Sequence, residues 1–376
     1  MHSVGSILTH PSAAVEAYIQ SPTVSSFHIG NLTIHFYAIM ILLGIIVAVW
    51  LTAKRWKALG GTFDQILDLT IISVPCGIVG ARLYHVITTP DRYFGPDGNW
   101  VDIFKIWNGG LGIWGAVFLG ALGAWAWCRH RHYPMALLAD CLAPALLIAQ
   151  AIGRWGNWFN QELHGSCTTL PWGLILNESA PELPMENAGT CPITGPYHPT
   201  FLYEMIWNLI GAALLLGMTS FIRKRFKAGS AFAFYVMWYT LGRTWIELLR
   251  VDPAVWVLGL RINVWVSICV FVAAAVVFVI LQRKGSTTKR LSVLLTRVTA
   301  YEAKIEAGKI SHEEVSSQLE SERKAQADEE KAIRKQRHEA LVAERQAYED
   351  AKKRVLTRKH EQKAAHEAEE DEEKDD

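Results

Sequence analysis

The sequence predicts an all-α polytopic membrane protein with seven transmembrane helices and a charged, helix-prone tail. Three observations carry that expectation. The chain is 51% hydrophobic over 376 residues, its apolar residues crowd into positions 34–282, and short basic clusters separate the apolar stretches. Lys+Arg (37) almost cancel Asp+Glu (36), so net charge gives no case for nucleic-acid binding.

Stretches long enough to cross a bilayer lie at roughly 34–53, 66–87, 109–128, 135–152, 199–222, 230–250 and 262–282. A backbone in lipid must satisfy its own hydrogen bonds, so each is expected to be a helix. Lys54, Arg55 and Lys57 follow the first span, Arg129 and Arg131 the third, and Arg223, Lys224, Arg225 and Lys227 the fifth. Positive residues mark cytoplasmic loops, which puts the amino terminus outside and the carboxyl tail inside. Asp91, Asp97, Asp102, Glu162, Glu178, Glu182 and Glu186 then fall in outward-facing loops. Residues 1–33 lack a basic patch followed by an apolar core and a small-residue cleavage site, so they are expected to stay as an external segment.

Gly109, Gly110, Gly112, Gly115, Gly120 and Gly123 suit close helix contact at the third span, and Pro75 and Pro144 should kink the second and fourth. Cys76, Cys128, Cys141 and Cys269 sit in or at the ends of apolar stretches, as buried free thiols do. Cys167 and Cys191 share one loop, where an oxidising compartment would allow a disulfide. No Cys or His grouping has metal-ligand spacing. In the tail, residues 286–376, Leu291, Leu294, Val298, Tyr301 and Ile305 follow a heptad-like spacing that then fades. The alternatives for the tail are a short coiled coil and a solvated, partly disordered chain, either of which offers a surface to a further partner.

The orientation gives each embedded polar residue a depth. His35 and Tyr37 open the first span, Arg82 and His85 close the second, the run Arg154 to Gly165 follows the fourth, and His198, Tyr203 and Glu204 begin the fifth. Arg243 and Glu247 lie deep in the outward-running sixth span, about 20 and 25 Å from its inner end at 1.5 Å per residue. All of these belong to one leaflet, whereas the inner half holds mainly Asp68 and Asp140. Charges at membrane depth are costly without a partner or a reaction to serve. The convergence predicts an outward pocket with surplus positive charge from Arg82, Arg154, Arg243 and Arg250, fitted to an anionic lipid head group, because guanidinium stays charged and grips phosphate through paired hydrogen bonds. Taken singly, the residues have plainer uses: Arg243 and Glu247, four apart on one helix face, can neutralise each other, Arg82 can snorkel, Tyr37 can be a belt aromatic, and Asn157 and Asn160 can bond loop backbone.

The motif Gly153-Arg154-x-Gly156-Asn157-x-x-Asn160-x-Glu162-x-x-Gly165 closely resembles the signature of the prolipoprotein diacylglyceryl transferase family. The likeness extends to Ile34-His35-Phe36-Tyr37, Gly80-Ala81-Arg82, His198-Pro199-Thr200-Phe201-Leu202-Tyr203-Glu204 and Gly242-Arg243-x-x-x-Glu247-x-x-Arg250, covering roughly residues 28–283 but not the tail. It implies a catalytic domain at 34–285 in the bacterial plasma membrane that moves diacylglyceryl from phosphatidylglycerol to the lipobox cysteine of a prolipoprotein, without metal or cofactor. It also implies Arg154 and Arg243 as the essential pair, with His35, Tyr37, Arg82, Asn157, Asn160, Glu162, Gly165 and Glu247 around the substrate and Glu247 orienting Arg243.

One position departs from the family. Where many members carry a histidine, offered as the general base, this chain has Trp114. Either another group such as His35, His164 or Glu162 takes the thiol proton, or the cationic pocket lowers the thiol pKa enough to need no dedicated base. A transporter would use arginines as well, but it predicts polar residues through the full depth and two related halves, and a scaffold working through its tail leaves the outer cluster unexplained.

Overall fold

The structure, a computed structural model, describes residues 18–30, 32–96, 98–177, 195–217 and 226–308, with scattered positions from 311 to 353. Asp97, Glu178, Glu182, Glu186, Cys191 and the basic run Arg223 to Arg225 lie outside the described residues. The chain divides into two compact units, Met1–Ala300 and Tyr301–Asp376.

The first unit is built from long helices: α1 (Phe36–Lys57), α2 (Phe63–Thr88), α4 (Ile113–His130), α5 (Met135–Asn160), α6 (Thr200–Gly217), α7 (Ser230–Leu249) and α8 (Ile262–Lys284), with a single turn α3 (Asp91–Phe94) and two 3-10 turns between α2 and α4. Five of them, α1, α2, α5, α6 and α8, are long and apolar enough to cross a membrane. The other two have chemical reasons to be less apolar. Gly and Trp dilute α4, which ends on Arg129 and His130, while α7 carries Arg243, Glu247 and the polar-edged aromatics Tyr235, Trp238 and Tyr239. The α9 helix (Thr288–Glu306) begins just after α8, and Gln65 Nε2 donates to Thr299 Oγ1 at 3.0 Å.

The structure is mostly helical, as the expected all-α class requires. Short strands fringe the helix ends: β1 (Ile19–Gln20) pairs in parallel with β4 (Leu174–Ile175), β2 (Ser26–Ile29) with β3 (Leu32–His35), and β5 (Trp256–Val257) with β6 (Leu260–Arg261). Backbone that leaves a helix still needs partners, and pairing two to four residues at a time supplies them.

Glycine sets the closest helix contact. Gly80 of α2 and Gly115 of α4 face each other so tightly that a Cβ on either would overlap the other's carbonyl oxygen, and Gly120 approaches Gly77. Gly112 N donates to Ala81 O at 2.9 Å, tying the entry of α4 to α2. Between α6 and α7 the device is different. Trp207 and Trp238 stack with centroids 4.4 Å apart, and each indole N–H donates to the other residue's carbonyl, at 2.9 and 3.0 Å. The indoles lie over Gly242 and Gly211, where any side chain would collide with them. This clasp fixes the helix pair that carries Glu204 and Arg243. Pro75 and Pro144 lie inside α2 and α5, as expected from the sequence.

At the basic ends of the helices Asp140 accepts from Gly229 N at 2.8 Å and Phe232 N at 3.1 Å, capping α7, while Arg55 donates to the Asp140 carbonyl at 3.3 Å. In the second unit residues 313–322 are helical, Val315 and Leu319 are buried, and Tyr301 Oη donates to Glu322 at 3.5 Å.

Candidate active site

The signature run ends α5 and turns back on itself. Gln161 and Leu163 adopt left-handed backbone angles, φ 53° and 61°, which reverse the chain, and Gln161 Oε1 accepts from Asn177 N at 2.8 Å. The turn is sewn to both neighbouring helices. Gly165 N donates to His198 O at 2.9 Å, Ser166 N donates to Leu249 O at 2.9 Å, and Thr200 Oγ1 donates to Leu163 O. Gly165 has no room for a side chain, since a Cβ would stand 2.8 Å from the His198 Cβ and 3.0 Å from the Leu249 carbonyl. Gly156 is needed for a similar reason: the Tyr37 ring lies against it. Stacking of Phe36 on Phe159, 4.7 Å between centroids, brings the start of α1 to the same place.

Within this frame the side chains form one chain of ion pairs. Arg154 Nη1 donates to Asn157 Oδ1 at 3.1 Å, and Arg154 Nη2 lies 2.9 Å from Glu204 Oε1. The other oxygen of Glu204 is 3.5 Å from Arg243 Nη1, so one carboxylate bridges the two arginines. Arg243 Nη2 pairs with Glu247, which also meets Arg250 at 3.5 Å, Arg261 at 3.0 Å and Asn263 Nδ2 at 2.9 Å. Asp252 closes the series, 2.7 Å from Arg250 and 2.8 Å from Arg261. Glu162 stands beside it and accepts from Asn157 at 3.0 Å and Asn160 at 3.1 Å. A hydrogen bond joins Tyr239 to Arg154. Arg154, Asn157, Leu163, Glu204 and Arg250 line a narrow cleft.

The site residues expected from sequence divide in two. Arg154, Arg243, Asn157, Asn160, Glu162, Gly165, Glu247 and Tyr37 are brought together. His35 caps α1 at the rim, exposed and with its backbone opposite Ser26, and among the described residues it does not join the ion-pair chain. Arg82 is also separate. Its guanidinium donates to the carbonyls of Asp102, Ile103 (2.8 Å), Lys105 (3.3 Å), Gly109 (2.6 Å) and Gly110 (2.9 Å), so every donor it has is spent on backbone. Of the four arginines expected to supply positive charge, three carry carboxylate partners. Arg154, Arg243 and Arg250 are each held by a carboxylate, because a charge this deep needs a partner.

Sequence reasoning missed Arg261, Asp252 and Tyr239, and it noted Glu204 only as a polar residue near the outer end. Burial pushes the His164 imidazole below its ordinary value, against the Gly165 carbonyl and Asp252, and lowers His198 in the same direction. Burial also disfavours the charge on Asp252, but hydrogen bonds and charge from Arg250 and Arg261 outweigh it and hold the carboxyl below its ordinary value. Cys167 is disulfide-bonded, and the partner considered from sequence, Cys191, lies outside the described residues.

The sequence profile described as prolipoprotein diacylglyceryl transferase matches residues 24–280. The chain belongs to this family. A phosphatidylglycerol–prolipoprotein diacylglyceryl transferase of Bifidobacterium adolescentis is 62% identical over 290 residues, covering 76% of this chain and 86% of the relative. Proteins of the same name from Streptomyces griseus and Paenarthrobacter aurescens are each 51% identical, over 70% and 72% of this chain and 78% and 87% of their own lengths. The matched residues hold all of the ion-pair chain and stop before the tail that follows α8. The family therefore accounts for the membrane domain.

Proposed function

We propose that this chain transfers the diacylglyceryl group of phosphatidylglycerol to the lipobox cysteine of prolipoproteins, forming a thioether and releasing glycerol phosphate, the first step of lipoprotein maturation. The observation that carries the proposal is the bridge Arg154–Glu204–Arg243, of which Arg154 and Glu204 line a narrow cleft beside the signature turn. Two guanidinium groups converging from α5 and α7 suit a phosphodiester, which each can grip through parallel N–H donors.

In this reaction the thiol sulfur attacks the glyceryl carbon, a C–S bond forms, the C–O bond to phosphate breaks, and the electron pair leaves on the phosphate oxygen. Negative charge gathers on that phosphate as it departs, so donors aimed there act most strongly in the transition state. Arg154 and Arg243 fill that role. Glu247 holds Arg243 in place, Asn157 holds Arg154, and Glu162 fixes Asn157 and Asn160 in turn. Tyr37, whose ring lies on Gly156, borders the lipid position.

The enzyme sits in the bacterial plasma membrane with seven spans, α1, α2, α4, α5, α6, α7 and α8, its amino terminus outside and its site toward the outer leaflet. Supporting this orientation, Lys54, Arg55, Lys57, Arg129, Arg283 and Lys284 lie in the last turns of α1, α4 and α8, whereas the signature turn lies at the opposite end of the alternation. A disulfide at Cys167 supports an oxidising compartment on that side.

Incubating the purified protein with phosphatidylglycerol and a lipobox peptide should add the mass of a diacylglyceryl group to the peptide cysteine. A folded protein that adds none overturns the proposal. Truncation before Ser286 should leave transfer largely intact, since the family match ends before the tail, and Trp114→Phe should be tolerated because the Trp114 indole has no acceptor nitrogen.

A further inference from the structure

We propose that Glu204 is the proton acceptor for the substrate thiol, and that phosphate binding switches it on. The inference rests on the transferase function proposed above. The bases considered from the sequence are engaged elsewhere or lie apart, and His198 Nδ1 is 3.0 Å from the Tyr203 hydroxyl. Trp114 has only an N–H donor. The His164 ring packs on Tyr197, centroids 4.4 Å apart, with Nδ1 3.2 Å from the Gly165 carbonyl. Glu162 holds two amides, and His35 stands at the rim. Glu204 lines the cleft and touches both arginines, 2.9 Å from Arg154 and 3.5 Å from Arg243, with 4% of its surface exposed.

That position is the one a phosphate must claim. A lipid phosphate drawn to both guanidinium groups competes with the resident carboxylate for the same donors. Once they turn to phosphate, Glu204 is left buried with a charge no longer compensated, and a buried carboxylate in that state is strongly disfavoured. Binding a proton removes the penalty. The charged and titratable groups facing it are Arg154 from α5 and Arg243, Tyr239 and Glu247 from α7, with Arg250 beside the same cleft. None of the other carboxylates bridges both Arg154 and Arg243 among the described residues.

The step balances. The thiol proton passes to a Glu204 oxygen, the sulfur electron pair forms the C–S bond, and the C–O bond breaks with its pair leaving on the phosphate. The released glycerol phosphate gains one negative charge and takes the proton from Glu204. The carboxylate then returns to the two arginines. Arrival of the lipid thus creates the base, and departure of the product resets it.

The test compares a lipobox peptide with its selenocysteine counterpart, whose selenol is ionised at neutral pH and needs no base, using full-length protein and phosphatidylglycerol vesicles. Loss of a general base costs about 10²–10⁴ in rate. Glu204→Gln should therefore lose about a hundredfold or more with the thiol peptide and recover with the selenol, raising the selenol-to-thiol rate ratio at least about tenfold over wild type. Arg154→Ala should slow transfer to both peptides by the same factor, leaving that ratio unchanged. A folded Glu204→Gln protein with the wild-type ratio overturns the inference, whether it is fully active or equally slow with both peptides. If that variant does not fold, Glu204→Asp keeps the charge with a shorter reach. Its ratio should also rise, and an unchanged ratio again overturns the inference. Failure of wild type to modify either peptide would instead count against the transferase function itself.

Discussion

Glu247 and Arg261 form an ion pair 3.0 Å long in which neither side chain exposes more than 2% of its surface. The pair joins α7 to the β5–β6 hairpin that leads into α8, and it fixes the carboxylate that holds Arg243. Removing one partner of a buried pair leaves the other uncompensated, at a cost of about 3–5 kcal/mol. Arg261→Ala should therefore lower the thermal unfolding midpoint of the detergent-solubilised protein sharply. Arg261→Lys should recover only part of the loss, since an ammonium cannot reach Glu247, Asp252 and the Arg250 carbonyl together. Unfolding at the wild-type temperature would show that the pair contributes little.

The relation between Glu204 and Arg243 depends on the tryptophan clasp beneath them. A methyl group on Gly242 would collide with the Trp207 indole and force α6 away from α7. Overpacking of this kind costs about 1–3 kcal/mol. Gly242→Ala should lower both stability and transfer, whereas Trp207→Phe should cost stability by about 1 kcal/mol through the lost hydrogen bond to the Trp238 carbonyl. Differential scanning of the two variants beside their transfer rates checks the order. A Gly242→Ala protein with full activity would show that the spacing of these helices is not critical.

Much of this site was legible in the sequence, and the missing parts share a cause. The residues of the signature turn and the helix-face pair Arg243 and Glu247 could be placed because helical spacing and membrane depth relate them along the chain. Arg261 and Asp252 sit in the segment between α7 and α8, where no period predicts a partner. Their pairing depends on the Leu258-Gly259 turn, with φ 50° and 78°, bringing β6 back against β5. Tyr239 reads as one more aromatic of a membrane helix until its hydroxyl is seen on Arg154. The compensation of the arginines was hidden for a different reason: Glu204 and Arg154 are fifty residues apart, and only the packing of α5 on α6 shows that they meet.

Arg82 is held by backbone carbonyls, whereas Arg154 and Arg243 pair with carboxylates. Its donors gather the carbonyls of Asp102 through Gly110 and so shape the entry to α4. Leaving buried acceptors unpaired costs about 1–3 kcal/mol each. Arg82→Lys should loosen residues 98–112, seen as faster proteolysis or hydrogen exchange there, with little change in the KM for phosphatidylglycerol. A large rise in KM with the loop still protected would return Arg82 to the substrate.

The acid side of the stability curve should report Asp252. Its folded value lies below the ordinary carboxylate value because Arg250 and Arg261 outweigh its burial. For a group depressed on folding, the unfolded chain binds the proton more readily, so stability rises with pH across that interval. The contribution of Asp252 is therefore complete above the unfolded value of about 3.9 and is lost as pH falls through the lower folded value. His164, also lowered by burial, adds an earlier loss as pH falls below its ordinary value of about 6.5, because the unfolded imidazole takes a proton that the folded one resists. Asp252→Asn should be less stable than wild type at neutral pH, and the gap should narrow below about pH 4 as the wild-type carboxyl becomes protonated. Unfolding midpoints measured from pH 7 downward test this. A gap that stays constant into strong acid would mean that Asp252 contributes through its hydrogen bonds alone, whatever its charge.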